Sequence, residues 1–159
     1  MLEHIARWLK KRGRYRMIPR DGNEKYLERF YILSTSWVGI YLHCFWADDD
    51  DGLHDHPWNS MSLPLRGGFF EEIPEDQNLP CGPTINKFRR PLIPVLRSKY
   101  AAHRITLPSG QEGKVWSLFI RFGFKRRKWG FYRNGIWQPA EVQSRKEINE
   151  GLVTRNTKR

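Results

Sequence analysis

The stretch Leu53-His54-Asp55-His56-Pro57-Trp58 places two histidines one residue apart, and it decides how the rest of the chain is interpreted. In an extended segment, successive side chains alternate between faces, so His54 and His56 are predicted to lie on the same side. Neutral imidazole is the commonest protein ligand for divalent transition metals. Two imidazoles on one face therefore supply half of a metal site, and a third ligand has to come from another strand.

The residues that follow this stretch predict a series of short strands and turns. Residues 60–65 form a partly apolar run that ends at Arg66-Gly67-Gly68. Glycine supplies the positive φ that tight turns need, so a turn is expected there. Residues 69–73 restart an extended aromatic segment, and residues 93–107 form a later extended segment that contains His103.

This order of strands, turns and histidines resembles the first sequence motif of the cupin superfamily. In that motif a Glu follows the second His by five residues, and a Gly follows the Glu after a six-residue apolar run. Gly68 occupies the Gly position, whereas Met61 stands where the Glu is expected. The first motif is thus matched in its histidines and its glycine, and it lacks its carboxylate.

The segment around His103 resembles the second cupin motif, in which one His follows a Pro-x-Gly turn. Ser98 and Tyr100 stand in place of the Pro and the Gly, and Leu107 stands in place of the Asn that ends the motif. The resemblance covers residues 37–129. It is closest to small single-domain members of the superfamily found in bacterial and phage genomes.

The resemblance implies an all-β fold, the cupin-type double-stranded β-helix or jelly-roll barrel, here with a short N-terminal helix. It implies a metal held by His54, His56 and His103. Fe(II) is the expected ion, with Zn, Mn or Ni as alternatives. A set of three histidines without the Glu is similar to that of thiol dioxygenases, so the implied activity is that of an oxygenase or a related metalloenzyme acting on a small polar or anionic substrate.

Three further residues are predicted to be catalytic: Tyr100, Glu72 and Arg121. A guanidinium can clamp a carboxylate or phosphate with two hydrogen bonds, and Arg97 is a second candidate for that role. If residues 69–73 form a strand, one of Glu71 and Glu72 must point inward, where it can act as a fourth ligand or as an acid or base. The arginines and Tyr100 are equally consistent with surface positions at the rim of the fold.

The chain is divided into an N-terminal helix with a basic linker (1–20), a jelly roll (21–143) and a polar tail (144–159). Apolar residues at helical spacing near the N-terminus predict an amphipathic helix that packs across the barrel mouth or onto a partner subunit. The run 37–46 predicts a strand buried on both faces, on which His43 either faces the same cavity as His54 and His56 or, as is favoured, is packed and bonded to a backbone carbonyl. Residues 48–52 predict a solvated loop in which one Asp orients a histidine, and Asn134-Gly135 predicts a hairpin turn.

The formal charge of +11 over 159 residues is carried mainly by basic runs near both ends. This favours contact with nucleic acid or another anionic partner, and residues 125–128 beside Trp129 and Phe131 are the candidate surface. A third possibility is a metal-free jelly roll that binds or isomerises a sugar or nucleotide sugar through His56 or His103 with Tyr100. A homodimer is compatible with all three functions.

Cellular location is predicted from what the sequence lacks. Cys44 and Cys81 have no Cys-x-x-Cys spacing, which is typical of a reducing compartment. No apolar run approaches the length of a membrane span, and the first residues lack a secretory signal. A cytoplasmic protein is therefore expected.

Overall fold

The computed structural model of the chain describes residues 1–19, 24–49, 52–124, 128–133 and 136–140. Over these residues the protein consists of one helix followed by twelve strands. In chain order the elements are α1 (Leu2–Lys11), β1 (Tyr15–Pro19), β2 (Lys25–Ser34), β3 (Val38–Phe45), β4 (Leu53–His54), β5 (Asn59–Arg66), β6 (Phe69–Pro74), β7 (Thr84–Arg89), β8 (Val95–Arg97), β9 (Arg104–Thr106), β10 (Val115–Phe122), β11 (Gly130–Arg133) and β12 (Ile136–Pro139).

The strands form two facing layers of antiparallel sheet. The first layer is a six-stranded sheet in the order β1-β2-β3-β10-β5-β8. The second layer contains two three-stranded sheets, β12-β11-β4 and β7-β6-β9, and a bridge between His54 and His103 joins them. Side chains of both layers meet in a core that includes Phe45 and Val115 from the large sheet and Phe69 and Ile105 from the second layer. This arrangement is the predicted jelly roll.

Strand β3 is buried on both faces, as its near-continuous apolar sequence predicted. Its residues Tyr41, His43 and Phe45 face the second layer, whereas Leu42 and Cys44 face outward. The helix α1 covers that outer face with Ala6 and Leu9. The expectation that α1 closes the barrel mouth is therefore wrong, because the outer face of the chain's own large sheet needs a cover; docking of α1 on a partner subunit stays a prediction.

The glycine pair between β5 and β6 explains the glycine of the first motif in physical terms. Gly67 has a φ of +65°, a conformation that favours glycine. Gly68 is required for a different reason: a Cβ at this position would lie 2.8 Å from the backbone oxygen of Arg89. The backbone of β7 therefore approaches β6 too closely for any side chain there.

Two other predictions have definite outcomes. Strands β11 and β12 pair with Arg133 opposite Ile136, which confirms the hairpin, although Asn134 and Gly135 lie outside the described residues. The prediction of a solvated loop at residues 48–52 is wrong for Asp49, which is only 3% exposed. The tail from residue 144 and the basic residues 125–127 also lie outside the described part. Within it, α1 is the one helix, and its ten residues are too few to cross a membrane.

Candidate metal centre

The backbone brings His54 and His103 directly opposite each other. The amide of His54 donates to the carbonyl of His103 at 2.9 Å, and the amide of His103 donates to the carbonyl of His54 at 3.0 Å. This pair of hydrogen bonds fixes the register between residues 49 positions apart in the chain, so both side chains leave the layer on the same face. The imidazole centroids lie 4.7 Å apart.

His56 joins this pair although it lies just beyond the end of β4, which includes only Leu53 and His54. The alternation of side chains continues past the strand: His54 and His56 share one face, and Asp55 points to the other. Nε2 of His56 lies 2.9 Å from Nε2 of His103. One ring nitrogen of each of the three histidines lies within 4.8 Å of the others, so the three can hold a metal ion.

The spacing and the protonation state of these nitrogens suit a divalent cation. Nitrogens bound to one ion at about 2.1 Å lie roughly 3–4 Å apart, close to the separations seen here. Burial, followed by the charges of the neighbouring histidines, holds the pKa of His56 well below its ordinary value. Burial, with the charge of Arg97 as the second cause, lowers the pKa of His103 to about 4. The imidazoles of His56 and His103 are therefore neutral near pH 7 and have lone pairs available for a metal.

Glu71 stands behind His103 and orients its ring. Its Oε1 lies 2.9 Å from Nδ1 of His103, which favours a proton on Nδ1 and leaves the Nε2 lone pair facing the other histidines. The same buried carboxylate pairs with Arg97 and with Arg89, the latter at 2.5 Å. Burial alone would raise the pKa of Glu71, but the His103 hydrogen bond and the Arg97 charge outweigh it and hold that pKa well below the usual range.

Two aspartates position the strands that carry the histidines. Asp49 accepts a hydrogen bond from the amide of Ile105 at 2.6 Å and another from the hydroxyl of Tyr26, and its Oδ2 lies 3.8 Å from Nδ1 of His54. Asp55 is fully buried and accepts hydrogen bonds from the Gly130 amide at 2.9 Å and from the indole of Trp137 at 3.1 Å. These carboxylates tie the histidine-bearing segments to β9 and to the C-terminal hairpin.

The three histidines open onto a cavity of about 310 Å³ between the two layers. We call the side formed by His54, His56 and His103 the histidine wall. The opposite side belongs to the large sheet, and we call its residues Arg29, Tyr41, His43, Ser117 and Phe119 the arginine wall. Trp58 and Trp129 also line this cavity. Its volume is in the range of small-molecule sites.

His43 is a packed histidine, as predicted, and it also lines the cavity. Its ring stacks on Phe119 with centroids 5.2 Å apart, and its Nε2 accepts a hydrogen bond from Nε of Arg29 at 3.0 Å. The predicted partner was a backbone carbonyl, and the structure shows an arginine side chain instead. Burial, followed by the charge of Arg29, holds the pKa of His43 well below its ordinary value.

The three predicted catalytic residues do not line the cavity. Tyr100 is 62% exposed on a turn after β8. Glu72 lies on the face of β6 opposite to Glu71, where it accepts a hydrogen bond from Thr84 and pairs with Arg104. Arg121 is buried, donates to the Tyr41 hydroxyl and the Thr35 carbonyl, and lies over the Trp58 ring, which does line the cavity. Their catalytic roles stay predictions.

Sequence reasoning did not single out Arg29, and it named Arg97 as a candidate clamp for substrate. Arg97 is engaged by Glu71 and by the hydroxyl of Ser62, and it does not line the cavity. The signal available in the sequence was the alternation of side chains along β2. Arg29 occupies the same face of this strand as Leu27, and that face turns inward. At the position of the missing motif Glu, Met61 is flanked by the buried serines Ser60 and Ser62.

Comparisons with solved structures agree with the architecture. A structure of hydroxypropylphosphonic acid epoxidase from S. wedmorenis is 13% identical, with a TM-score of 0.52, and covers 69% of this chain and 56% of its own. The DMSP lyase DddQ from Ruegeria pomeroyi DSS-3 is 11% identical, with a TM-score of 0.55, and covers 77% and 62%. These are cupin-fold proteins. The protein has the cupin fold.

The relation between this protein and those structures is one of fold. KdgF from Halomonas sp. is 12% identical, with a TM-score of 0.50, and covers 71% of this chain and 88% of its own. The chain spans little more than half the length of the epoxidase. No family model matches this chain, and no curated protein matches it.

Proposed function

We propose that this cupin is a metal-dependent enzyme, an oxygenase or a related metalloenzyme, that acts on a small anionic substrate in the cavity. The observation that carries the proposal is the convergence of three imidazoles on one wall of that cavity. A set of three protein ligands leaves coordination positions open for water or substrate, which a catalytic site needs and a structural site lacks.

His54, His56 and His103 would hold the metal, and Glu71 would keep the His103 ring in the ligating tautomer. Fe(II) is the proposed ion, with Zn, Mn or Ni as alternatives, because imidazole suits these metals. The similar epoxidase is described as an Fe(II) protein, which supports the choice of iron. When bound, such an ion supplies Lewis-acid or redox chemistry at its open positions.

The protein's own residues would provide the surroundings for that chemistry. Trp129 and Phe119 exclude water from two sides of the histidine wall, with centroids 6.4 Å and 6.0 Å from that of His56. The Asp55 carboxylate accepts a hydrogen bond from the amide of Gly130, the residue after Trp129. This contact holds the hairpin against the metal-binding segment. The cavity would therefore bind a substrate in a largely apolar pocket with the metal at one side.

Metal-dependent thermal stabilisation of the full chain tests this proposal. After treatment with a chelator, the wild-type protein is melted with and without Fe(II) or Zn(II). A free metal concentration one hundredfold above Kd stabilises the folded state by about 2.7 kcal/mol. For a chain of this size that is a rise in Tm of roughly 5–10 °C.

The chain offers matched controls, because it contains five histidines. His56→Gln and His103→Gln are expected to abolish the metal-dependent rise. His4→Gln, on the exposed side of α1, and His43→Gln, in the cavity but outside the cluster, are expected to retain it. The proposal is refuted if the wild type shows no rise, or if His56→Gln shows the same rise as the wild type.

A further inference from the structure

Arg29 reaches the cavity from strand β2 of the large sheet in a fixed orientation. It lies opposite His43 in the pairing of β2 with β3, and its Nε donates to Nε2 of that histidine at 3.0 Å. Its guanidinium carbon lies over the Tyr41 ring, 5.3 Å from the centroid. A side chain anchored at Nε and stacked on an aromatic ring keeps the planar fork of its guanidinium preorganised.

The charge of Arg29 has no carboxylate partner among the described residues. Its electrostatic neighbours are phenols, those of Tyr31, Tyr41 and Tyr26. Arg97 and Arg89 provide the contrast, since both pair with Glu71. Burial lowers the pKa of Arg29, which shows how poorly its surroundings compensate the charge.

The one carboxylate among the described residues that line the cavity is already engaged. Asp49 lines it, but its oxygens accept hydrogen bonds from Tyr26 and from the Ile105 amide. Arg29 is half-buried, and a partly desolvated charge without a counter-charge is unfavourable, so a cavity that contains one favours a ligand of opposite charge. Arg29 is also the only lysine or arginine among the described lining residues, so it is the one guanidinium or ammonium group there that an anionic ligand can meet.

We propose that Arg29 is the substrate-anchoring residue of this cavity, and that the substrate is a small organic acid whose oxyanion group binds the Arg29 guanidinium. The inference rests on the proposed function for the assignment of the cavity as the substrate site. His43 acts as a positioning residue, because it holds the guanidinium by its Nε and does not itself provide charge. Carboxylate, phosphate and phosphonate groups all match the guanidinium fork.

The dimensions of the cavity bound the rest of the substrate. At about 30 Å³ for each water in the liquid, 310 Å³ corresponds to on the order of ten water-sized groups. The histidines and Arg29 project from different layers of the fold, so an acid anchored at Arg29 extends its other end toward the histidine wall. The ligand is therefore a short acid with a second polar group at the opposite end from the oxyanion.

Anion binding to the metal-free full chain tests the inference separately from metal chemistry. Trp58 and Trp129 line the cavity, so their fluorescence reports on its occupancy. The probes are inorganic phosphate and acetate, with acetamide as the neutral match to acetate. Both anions are expected to bind to the wild type with saturable quenching, and acetamide is expected to bind at least tenfold more weakly than acetate.

Three variants separate the role of Arg29 from general charge. Arg29→Gln is expected to weaken acetate and phosphate binding at least tenfold, and Arg29→Lys is expected to be intermediate because it keeps the charge and loses the fork. Arg7→Gln removes the same charge from the exposed side of α1 and is expected to leave binding unchanged. Circular dichroism verifies that each variant is folded.

The outcomes distinguish this inference from the proposed function. Equal binding of acetate by the wild type and by Arg29→Gln overturns it, as does equal binding of acetate and acetamide. If metal stabilisation is absent but anion binding depends on Arg29, the metal proposal fails and the anion site stands. If metal binds and the anions do not perturb the fluorescence, the anion site is refuted and the metal proposal stands.

Discussion

The histidine wall and the arginine wall face the same cavity, but they differ in whether their ionisable groups have partners of opposite charge. Behind the histidine wall lies the carboxylate of Glu71, itself paired with two arginines, and Asp49 lies 3.8 Å from His54. On the arginine wall, Arg29 is surrounded by phenols and by an imidazole. One wall has its compensating charges within the protein, and the other lacks them among the described residues.

This difference shows that the stability of the fold depends on the charges behind the histidine wall, whereas the charge on the arginine wall is available to a ligand. A buried ion-pair network with its members satisfied is strongly destabilised when one partner is removed. A half-buried arginine that pairs with no carboxylate adds no ion pair to the folded state, so the fold tolerates its removal and the effect is felt in binding. Substitutions at matched positions on the two walls should therefore have different consequences.

The largest effect is expected at Glu71. Glu71→Gln removes the negative charge that faces Arg89, Arg97 and His103, and we expect the free energy of unfolding to fall by about 3–5 kcal/mol. Glu72→Gln is the control at the adjacent position, where the carboxylate pairs with a partly exposed Arg104 at 3.5 Å. That change is expected to remove less than about 1 kcal/mol. Urea unfolding measures both, and similar losses would contradict the contrast between the two faces of β6.

The next effect compares a buried arginine that has a carboxylate partner with a half-buried arginine that has none among the described residues. Arg97→Gln breaks contacts with Glu71 and Ser62, and we expect a loss of about 2–4 kcal/mol. Arg29→Gln removes a charge that has no carboxylate partner among the described residues, and we expect a change within about 1 kcal/mol of the wild type. The same unfolding experiment measures both variants. An equal loss in the two would show that Arg29 has a structural charge partner after all.

A smaller effect is expected at Asp55, between the two histidines of the first motif. Asp55→Asn replaces one of the two oxygens that accept from the Trp137 indole and the Gly130 amide with an NH2 group, which can only donate. We expect the free energy of unfolding to fall by about 1–3 kcal/mol. Because this contact positions His54 and His56, metal affinity should fall as well. Metal titration with and without the substitution measures that second effect. Unchanged stability and affinity would show that Asp55 does not position the histidines.

Local patterns in the sequence predicted the short strands and the placement of His54 and His56, whereas the superfamily resemblance implied the jelly roll and the third histidine. Alternation places His54 and His56 on one face whatever else the chain does, and Gly68 is required by a close approach of neighbouring backbone. The His54–His103 contact needed the superfamily resemblance, since 49 residues separate the partners. The packing of α1 was mispredicted because an amphipathic helix does not encode which surface will cover it.

The surroundings of the site were harder to predict because they depend on register. Alternation says that one of Glu71 and Glu72 faces inward, but which one depends on how β6 pairs with β9. Arg29 faces the cavity because β2 pairs with β3 in a register that sets it opposite His43. Asp49 is buried because its carboxylate caps the amide of Ile105, a residue 56 positions away. No local pattern specifies such pairings.

Anomalous diffraction from crystals grown with Fe(II) or Zn(II) tests most directly whether the three imidazoles form one metal site. We expect a single strong peak per chain within about 2.2 Å of a ring nitrogen of each of His54, His56 and His103. A peak at other residues, or a peak bonded to fewer than three of these rings, would contradict the site and with it the proposed metal-dependent activity.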